Sequence, residues 1–403
     1  MGVFGVRASL PELSWNTACN DGHRPHLQRS TLAIPVRLFA FSAVVHFLVG
    51  LALVPELPTA GAWALSAWLA VSAVLLPMGL RARAYARGRN ADRLAAAGLF
   101  GLGLFSSLFV LTLLRGVLLG VSHLLGIGPE GLRETSAQAV PLLALVLSAV
   151  GLLNTRRTAS VKNVDVPIAN LPGALHGFTI AQITDLHVGP TIRGPYIQRI
   201  VDRVNALEAD AVAITGDIVD GSVTELGAHV APLAGLRSRH GSFFVTGNHE
   251  YYAGAGPWVA EVKRLGIRVL HNEHVVIERD GARLVLAGVP DFTAHQFDAD
   301  HRSDPSRALQ GAPTDALKVL LAHQPRTAPA AELAGFDLQI SGHTHGGQFF
   351  PWIFFVRLQQ PFTAGLHRLG RLWVYVSRGT GYWGPPKRIA APSEITRLRL
   401  VTA

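Results

Sequence analysis

The 403-residue chain is predicted to join an α-helical membrane region to a layered α/β domain. Three observations predict this. Hydrophobic residues make up 49% of the chain against 16% charged, a balance that in so long a protein usually places part of it in lipid. The long apolar runs are confined to the first 155 or so residues. From about Lys162 onward the texture changes to short apolar runs, each followed by Gly, Asn, Asp or His.

The expected organisation is a polar segment over 1–30, a four-helix transmembrane region over 31–155 and the α/β domain over 156–403. Crossing a bilayer takes about 20 helical residues. Leu38 to Pro55, Ala62 to Leu80, Leu94 to Leu114 and Thr135 to Leu153 are long and apolar enough. Because the first of them lies beyond about thirty polar, Pro-containing residues, a cleaved signal peptide describes it poorly. Basic residues set the orientation. The Glu56–Gly61 turn has none, whereas the next loop carries Arg81, Arg83, Arg87, Arg89 and Arg93. The loop from Ser122 to Glu134 has only Arg133 with two acids, and Arg156, Arg157 and Lys162 follow the fourth span. The expected product is a multi-pass protein of the cell membrane with both termini and the α/β domain in the cytoplasm.

In the second half six apolar runs read as buried strands: Phe178–Thr184, Ala211–Thr215, Ser242–Thr246, Leu284–Gly288, Lys318–Ala322 and Asp337–Ser341. Helix-like stretches such as Pro195 to Leu207 and Pro257 to Leu265 lie between several of them. That alternation argues for a layered α/β domain, with polar motifs at the C-terminal strand ends where such sheets form clefts.

Those motifs occur in the order Asp185-Leu186-His187, Gly216-Asp217-Ile218-Val219-Asp220, Gly247-Asn248-His249-Glu250, a lone His323 and Gly342-His343-Thr344-His345. With a single cysteine, Cys19, the chain has no thiolate cluster, so metal binding falls to imidazole and carboxylate. Asp185 and His187, two apart at a strand end, are expected to point to the same side. Asp217 follows a glycine that leaves room for an ion, and its two oxygens suit a bridge between two metals. Asn248 is a neutral donor, which leaves positive charge facing an anionic phosphate. His323, His343 and His345 complete the set. Any one of these residues alone reads as a helix cap or a packed histidine. Together they read as ligands for two divalent ions, a known arrangement for attack on phosphorus. Asp220 reads as a supporting or loop residue. His249 is the candidate catalytic residue, either a proton donor to the leaving oxygen or an orienting group, with Glu250 expected to position it.

The order DxH, GDxxD, GNHE, H and GHTHGGQ, over approximately Phe178 to Leu400, resembles the calcineurin-like metallophosphoesterases. The resemblance implies a four-layer β-sandwich of two sheets flanked by helices, with a di-metal site at one edge. It implies one metal at Asp185, His187 and His345, a second at Asn248, His323 and His343, Asp217 bridging, and His249 as the catalytic histidine. Manganese is the metal it favours, with iron or zinc as alternatives. Gly247–Tyr252, Ala322–Pro325, Ser341–Gln348 and Tyr375–Gly379 are similar to a bacterial membrane-associated branch, some of whose members hydrolyse UDP-2,3-diacylglucosamine.

The expected function is in-line hydrolysis of a phosphoester or pyrophosphate by a hydroxide held between the two ions. An amphiphilic, lipid-linked substrate fits the membrane half, and a soluble-nucleotide phosphodiesterase with a membrane anchor is the alternative. A membrane sensor or transporter regulated by the phosphoesterase domain is a reading of another class. His46 and Arg115 are the chief ionisable residues in the spans, few for a transport path. Nucleic acid ranks low, because no basic and aromatic interleaving surrounds the motifs. Arg378 suits either a substrate phosphate or the sheet edge. Tyr251, Tyr252, Trp352, Phe354, Phe355 and Trp383 are candidates for an apolar lip or for core.

Overall fold

A computed structural model describes residues 33–127 and 130–403; the polar 1–30 segment with Cys19, and residues 128 and 129 of the Ser122–Glu134 loop, lie outside it. Helices α1 (Ala33–Leu53), α2 (Thr59–Leu80), α4 (Gly88–Leu124) and α5 (Glu130–Arg156) correspond to the four predicted spans, with a short α3 (Ala82–Tyr85) in the arginine loop. All four are long and apolar enough to cross a membrane. Only 22–33% of their most apolar stretches is buried, so most of their apolar surface faces outward, as lipid contact requires. α4 and α5 extend several residues beyond the predicted limits, because Arg89, Asp92 and Arg133 continue the helices past the apolar stretch.

Inside the bundle, small residues allow close approach. Gly79 of α2 and Gly98 of α4 face each other, and a Cβ on either would fall 2.5 Å from the other's Cα. The two ionisable residues of the spans are held by the bundle itself. His46 is buried against Phe105, its ring 3.6 Å away, with Nδ1 2.7 Å from the Ser42 carbonyl and Nε2 3.1 Å from Ser72 Oγ. Arg115 donates to the carbonyls of Ala52 and Arg133 and to Ser136 Oγ, at 2.9, 3.0 and 2.9 Å.

The rest of the chain forms four layers. One six-stranded sheet has the order β1 (Ser160–Ile168), β12 (Glu394–Thr402), β2 (Thr179–Ile183), β3 (Ala211–Ile214), β4 (Ser242–Phe244) and β5 (Arg268–Val269). The other has the order β10 (Gly365–Leu369), β11 (Leu372–Val376), β9 (Leu338–Ser341), β8 (Leu317–Leu321), β7 (Ala282–Gly288) and β6 (Glu273–Arg279). Both are mixed: β2, β3, β4 and β5 run parallel, as do β7, β8, β9 and β11, whereas β12 is antiparallel to β2. Phe178, Ile180, Leu286, Val319, Tyr375 and Leu398 fill the space between the sheets.

The outer face of the first sheet packs on α6 (Gly194–Asn205), α7 (Val223–Val230) and α9 (Ala255–Arg264) through Ile197, Ile200, Leu226 and the fully buried Trp258. α8 (Asn248–Ala253) caps its edge. The outer face of the second is covered by α10 (Pro305–Ala308) and α11 (Ala328–Ala334) through Ala308, Ala328 and Ala331. α12 (Trp352–Gln359) has no buried residue.

The two halves touch. Lys387 projects between α4 and α5, where its amine donates to the Gly103 carbonyl at 3.0 Å, to Ser107 Oγ and to Ser148 Oγ. Asn154 Nδ2 donates to the Arg388 carbonyl, and the Arg388 amide to that of Gly151. Two ion pairs, Arg83–Glu225 at 2.9 Å and Arg193–Asp92 at 2.7 Å, cross the same junction.

Candidate metal centre

The C-terminal ends of β2, β3 and β4 in one sheet meet those of β8 and β9 in the other, and every predicted ligand lies just beyond one of them. Backbone hydrogen bonds splice these ends together: Asp185 N to Gly216 O at 3.0 Å, His187 N to Asp217 O at 3.1 Å and Gly342 N to His323 O at 2.9 Å. Asp185 itself receives the His343 amide at 2.9 Å.

Six of the seven predicted ligands come together as groups with ligand atoms within 4.8 Å: Asp185 with His187 and His345, and Asp217 with His323 and His343. A third group, His187 with Asp217 and His249, links the first two. Asn248 is buried, and its Oδ1 has no hydrogen-bond partner among the described residues. An orphaned buried carbonyl costs roughly 1–3 kcal/mol unless something supplies a partner. A divalent cation is such a partner, and the set of carboxylate, imidazole and amide donors suits one.

The backbone is strained in the same place. Asp185, His187, Asp217, His343 and His345 all have left-handed φ, between 48° and 70°. Residues other than glycine adopt that region uncommonly, and such strain gathers at functional sites. This corrects the spacing argument for Asp185 and His187. β2 ends at Ile183, so the two side chains converge through a left-handed turn rather than through strand alternation. The room expected beside Asp217 is present: at Gly216, φ +89°, a Cβ would lie 2.6 Å from the Gly247 amide nitrogen and 2.7 Å from His323 Nδ1.

Three of the imidazoles, His187, His323 and His345, are aimed by their other nitrogen. His187 Nδ1 lies 2.8 Å from Asp220 Oδ1, leaving Nε2 to face His345 Nε2 at 3.1 Å. His323 Nδ1 donates to the Thr215 carbonyl at 2.7 Å, leaving Nε2 3.1 Å from Asp217 Oδ2 and 3.2 Å from His343 Nδ1. Arg388, also buried, reaches His345 Nδ1 at 3.1 Å while donating to the carbonyls of Arg378, Gly381 and Ala391.

Burial pushes His343 down to about 3, assisted by the His323 charge, and holds His345 well below the usual histidine range together with His187 and Arg388. Both are therefore neutral, the form that binds metal. Burial alone would lower His323, but Asp217 carries it well above its ordinary value.

His249 has a different setting. It lies beside the cluster with Nδ1 2.8 Å from Asp220 Oδ1, and its backbone amide donates to Asp217 Oδ1 at 2.9 Å. Burial would lower its pKa, but Asp217 and Asp220 carry it up to about 9. Glu250 does not position it. The Glu250 carboxylate accepts the backbone amides of Gly247, Asp217 and Ile218 at 2.6, 3.0 and 2.8 Å, so it ties the β3 and β4 loops together. Asp220 holds both His187 and His249, a role that sequence spacing left undetermined because it depends on the meeting of two loops.

Around His249 the rings of Tyr252 and Trp383 stand 5.1 and 5.6 Å away. Of the six aromatics considered for a lip, Tyr251 is buried, whereas Tyr252, Trp352, Phe354, Phe355 and Trp383 are 45–59% exposed. Arg378 pairs with Glu394 at 3.2 Å, at the start of β12, which lies between β1 and β2 and is not an edge strand.

Residues 178–347 match the family model described as calcineurin-like phosphoesterase. The chain is 40% identical over 274 residues to "Transmembrane protein with metallophosphoesterase domain" of Danio rerio, covering 65% of this chain and 63% of that protein. With the Bos taurus protein of the same name it shares 41% over 273 residues, covering 65% and 62%. It thus spans a little under two thirds of the length of these two relatives. An uncharacterized metallophosphoesterase of Campylobacter jejuni is 36% identical over 261 residues, covering 64% of this chain and 68% of that one. The chain belongs to the calcineurin-like phosphoesterases, here with four helices able to cross a membrane ahead of the phosphoesterase domain.

Proposed function

We propose that the protein is a membrane-anchored di-metal hydrolase of amphiphilic phosphoesters or pyrophosphates. The observation that carries this reading is the convergence of six predicted donors in linked groups, five of them in left-handed backbone, with the buried Asn248 oxygen unpartnered. In this reading Asp185, His187 and His345 hold one ion, Asn248, His323 and His343 the other, and Asp217 lies between them. When bound, such a pair neutralises charge on phosphoryl oxygens and makes water a stronger nucleophile at neutral pH. Manganese is the proposed metal, with iron and zinc as the competing occupants.

The protein's own groups supply the rest. His249, held protonated at neutral pH by Asp217 and Asp220, donates its proton to the leaving oxygen as water attacks phosphorus in line. Asp220 keeps the ring in place through Nδ1, which leaves Nε2 to face the substrate. Glu250 fixes the backbone from which Asp217 and Asn248 project.

Amphiphilic substrates are supported by the exposed Tyr252 and Trp383 beside His249 and by the exposed Trp352, Phe354, Phe355 and Leu358 of α12, which follows the His343–His345 loop directly. The arginine loop supports a cytoplasmic catalytic domain in the cell membrane. Full-length protein with Mn²⁺ is to be assayed on a simple diester, a simple monoester and a lipid-linked nucleotide diphosphate, with Asp217→Asn as control. The lipid-linked compound is expected to turn over fastest. Faster turnover of the simple diester removes the amphiphile, and equal activity in the control removes the two-ion reading.

A further inference from the structure

The junction between the halves contains a cleft of about 870 Å³ that the catalytic chemistry does not use. That volume lies within the range of about 300–1,000 Å³ typical of small-ligand sites. Its walls carry Arg83, Arg87, Arg89 and Arg93 from the α2–α4 connection and the start of α4, and Arg193 and His229 from the catalytic domain. Only two acids face it, Asp92 and Glu225, and both are already engaged with Arg193 and Arg83. Arg87, Arg89 and Arg93 make no ion pair among the described residues.

The backbone adds donors to the same space. Arg87 is the N-cap of the 37-residue α4 and Arg193 that of the 12-residue α6, and neither helix start has a side-chain cap. First-turn amides without a cap carry partial positive charge toward whatever stands before them. At Gly88 the space beside the backbone is open, with no atom within 4 Å of a would-be Cβ.

The cleft continues into a second, partly apolar one. This cavity of about 320 Å³ shares Ala96 and Pro190 with the first; Phe100, Leu152, Ile192 and Tyr382 give it an apolar side, and Arg156 and Arg199 also line it. A polycationic pocket at the end of a membrane helix, continuing into a partly apolar crevice along that helix, suits an amphiphile with a phosphorylated head.

We propose that this junction is a binding site for an anionic glycerophospholipid, its phosphate among Arg87, Arg89 and Arg93 at the start of α4 and its acyl portion along Phe100 and Leu152. Phosphate is the shared chemistry of lipid headgroup and soluble phosphate ester, and the apolar continuation selects the lipid. The bound lipid then bridges the two halves alongside Arg83–Glu225 and Arg193–Asp92. This proposal does not depend on the catalytic reading.

The test uses native mass spectrometry of the full-length protein released from mixed micelles holding equal amounts of phosphatidylglycerol and phosphatidylcholine. Phosphatidylglycerol is expected to be retained in preference. Each of Arg87→Ala, Arg89→Ala and Arg93→Ala is expected to reduce retention about fivefold, the effect of one basic group near an anionic surface. Arg157→Ala, on the same side of the bundle but outside the cleft, changes it less than twofold. Only variants that elute as wild type on size exclusion are compared, so that a loss of retention is not a loss of fold. Equal retention of both lipids overturns the proposal, as does an equal loss with Arg157→Ala. Displacement of the lipid by equimolar glycerol phosphate overturns its lipid half, because a soluble ester lacks the acyl contacts.

Discussion

Buried polar groups stand in opposite conditions in the two halves of this molecule. In the membrane bundle His46 bonds through both ring nitrogens and stacks on Phe105, and all three Arg115 nitrogens donate to oxygens of neighbouring segments. In the catalytic half, imidazole faces imidazole at 3.1 and 3.2 Å, and the Asn248 oxygen faces none of the described donors. The first arrangement is complete in itself, and the second is the one that we propose cations complete. Residue type alone would have marked both, since histidine and arginine in an apolar span are a standard sign of function. Satisfaction of hydrogen-bonding capacity tells them apart.

The comparison can be broken by substitution. Asp217→Asn, at the centre of the unsatisfied half, is expected to reduce turnover of a simple diester to the uncatalysed background, measured under saturating Mn²⁺. His249→Ala is expected to lower kcat by about 10²–10⁴-fold, the usual contribution of a general acid. The loss should shrink with a leaving group such as 4-nitrophenolate, which departs without a proton.

Asp220→Asn comes next, at about 10–100-fold, the usual cost of losing the partner that aims a ligand. It also carries a pH signature. An acid works while protonated, so activity is present below the His249 pKa and lost as pH rises through it. Burial lowers that pKa while Asp217 and Asp220 raise it to about 9. Removing the Asp220 charge therefore moves the alkaline limb of the kcat profile to lower pH. An unmoved limb assigns that ionisation to another group.

The smallest effects belong to the satisfied half. His46→Phe is expected to leave diester turnover within about twofold and to lower bundle stability by about 1–3 kcal/mol through the Ser72 hydroxyl and Ser42 carbonyl it strands. A large loss of turnover with an unchanged melting temperature would mean that the bundle takes part in the chemistry.

The same contrast explains what was legible in the sequence. The four spans and the six strands predicted from apolar runs needed only local composition, and the candidate ligands needed only their order along the chain. β10, with its half-exposed Gly365–Leu369 pattern, has no apolar run to announce it. β12 lies between β1 and β2 although its residues are the last in the chain, a pairing that only the finished sheet defines. The left-handed backbone at five ligands arises where strand ends from two sheets must meet, and the Asp220 and Glu250 roles follow from that meeting. Lys387 gave no signal either. Its polar partners, the Gly103 carbonyl and two serine hydroxyls, lie 239 to 284 residues away.

The central claim, that the unsatisfied cluster is completed by two cations, is tested most directly by counting metal in the full-length protein after equilibration with Mn²⁺ and removal of free ions. The account predicts two ions per chain in the wild type, fewer in Asn248→Ala and Asp217→Asn, and an unchanged two in His46→Phe. One ion or none in the wild type, or two retained in Asp217→Asn, would contradict it.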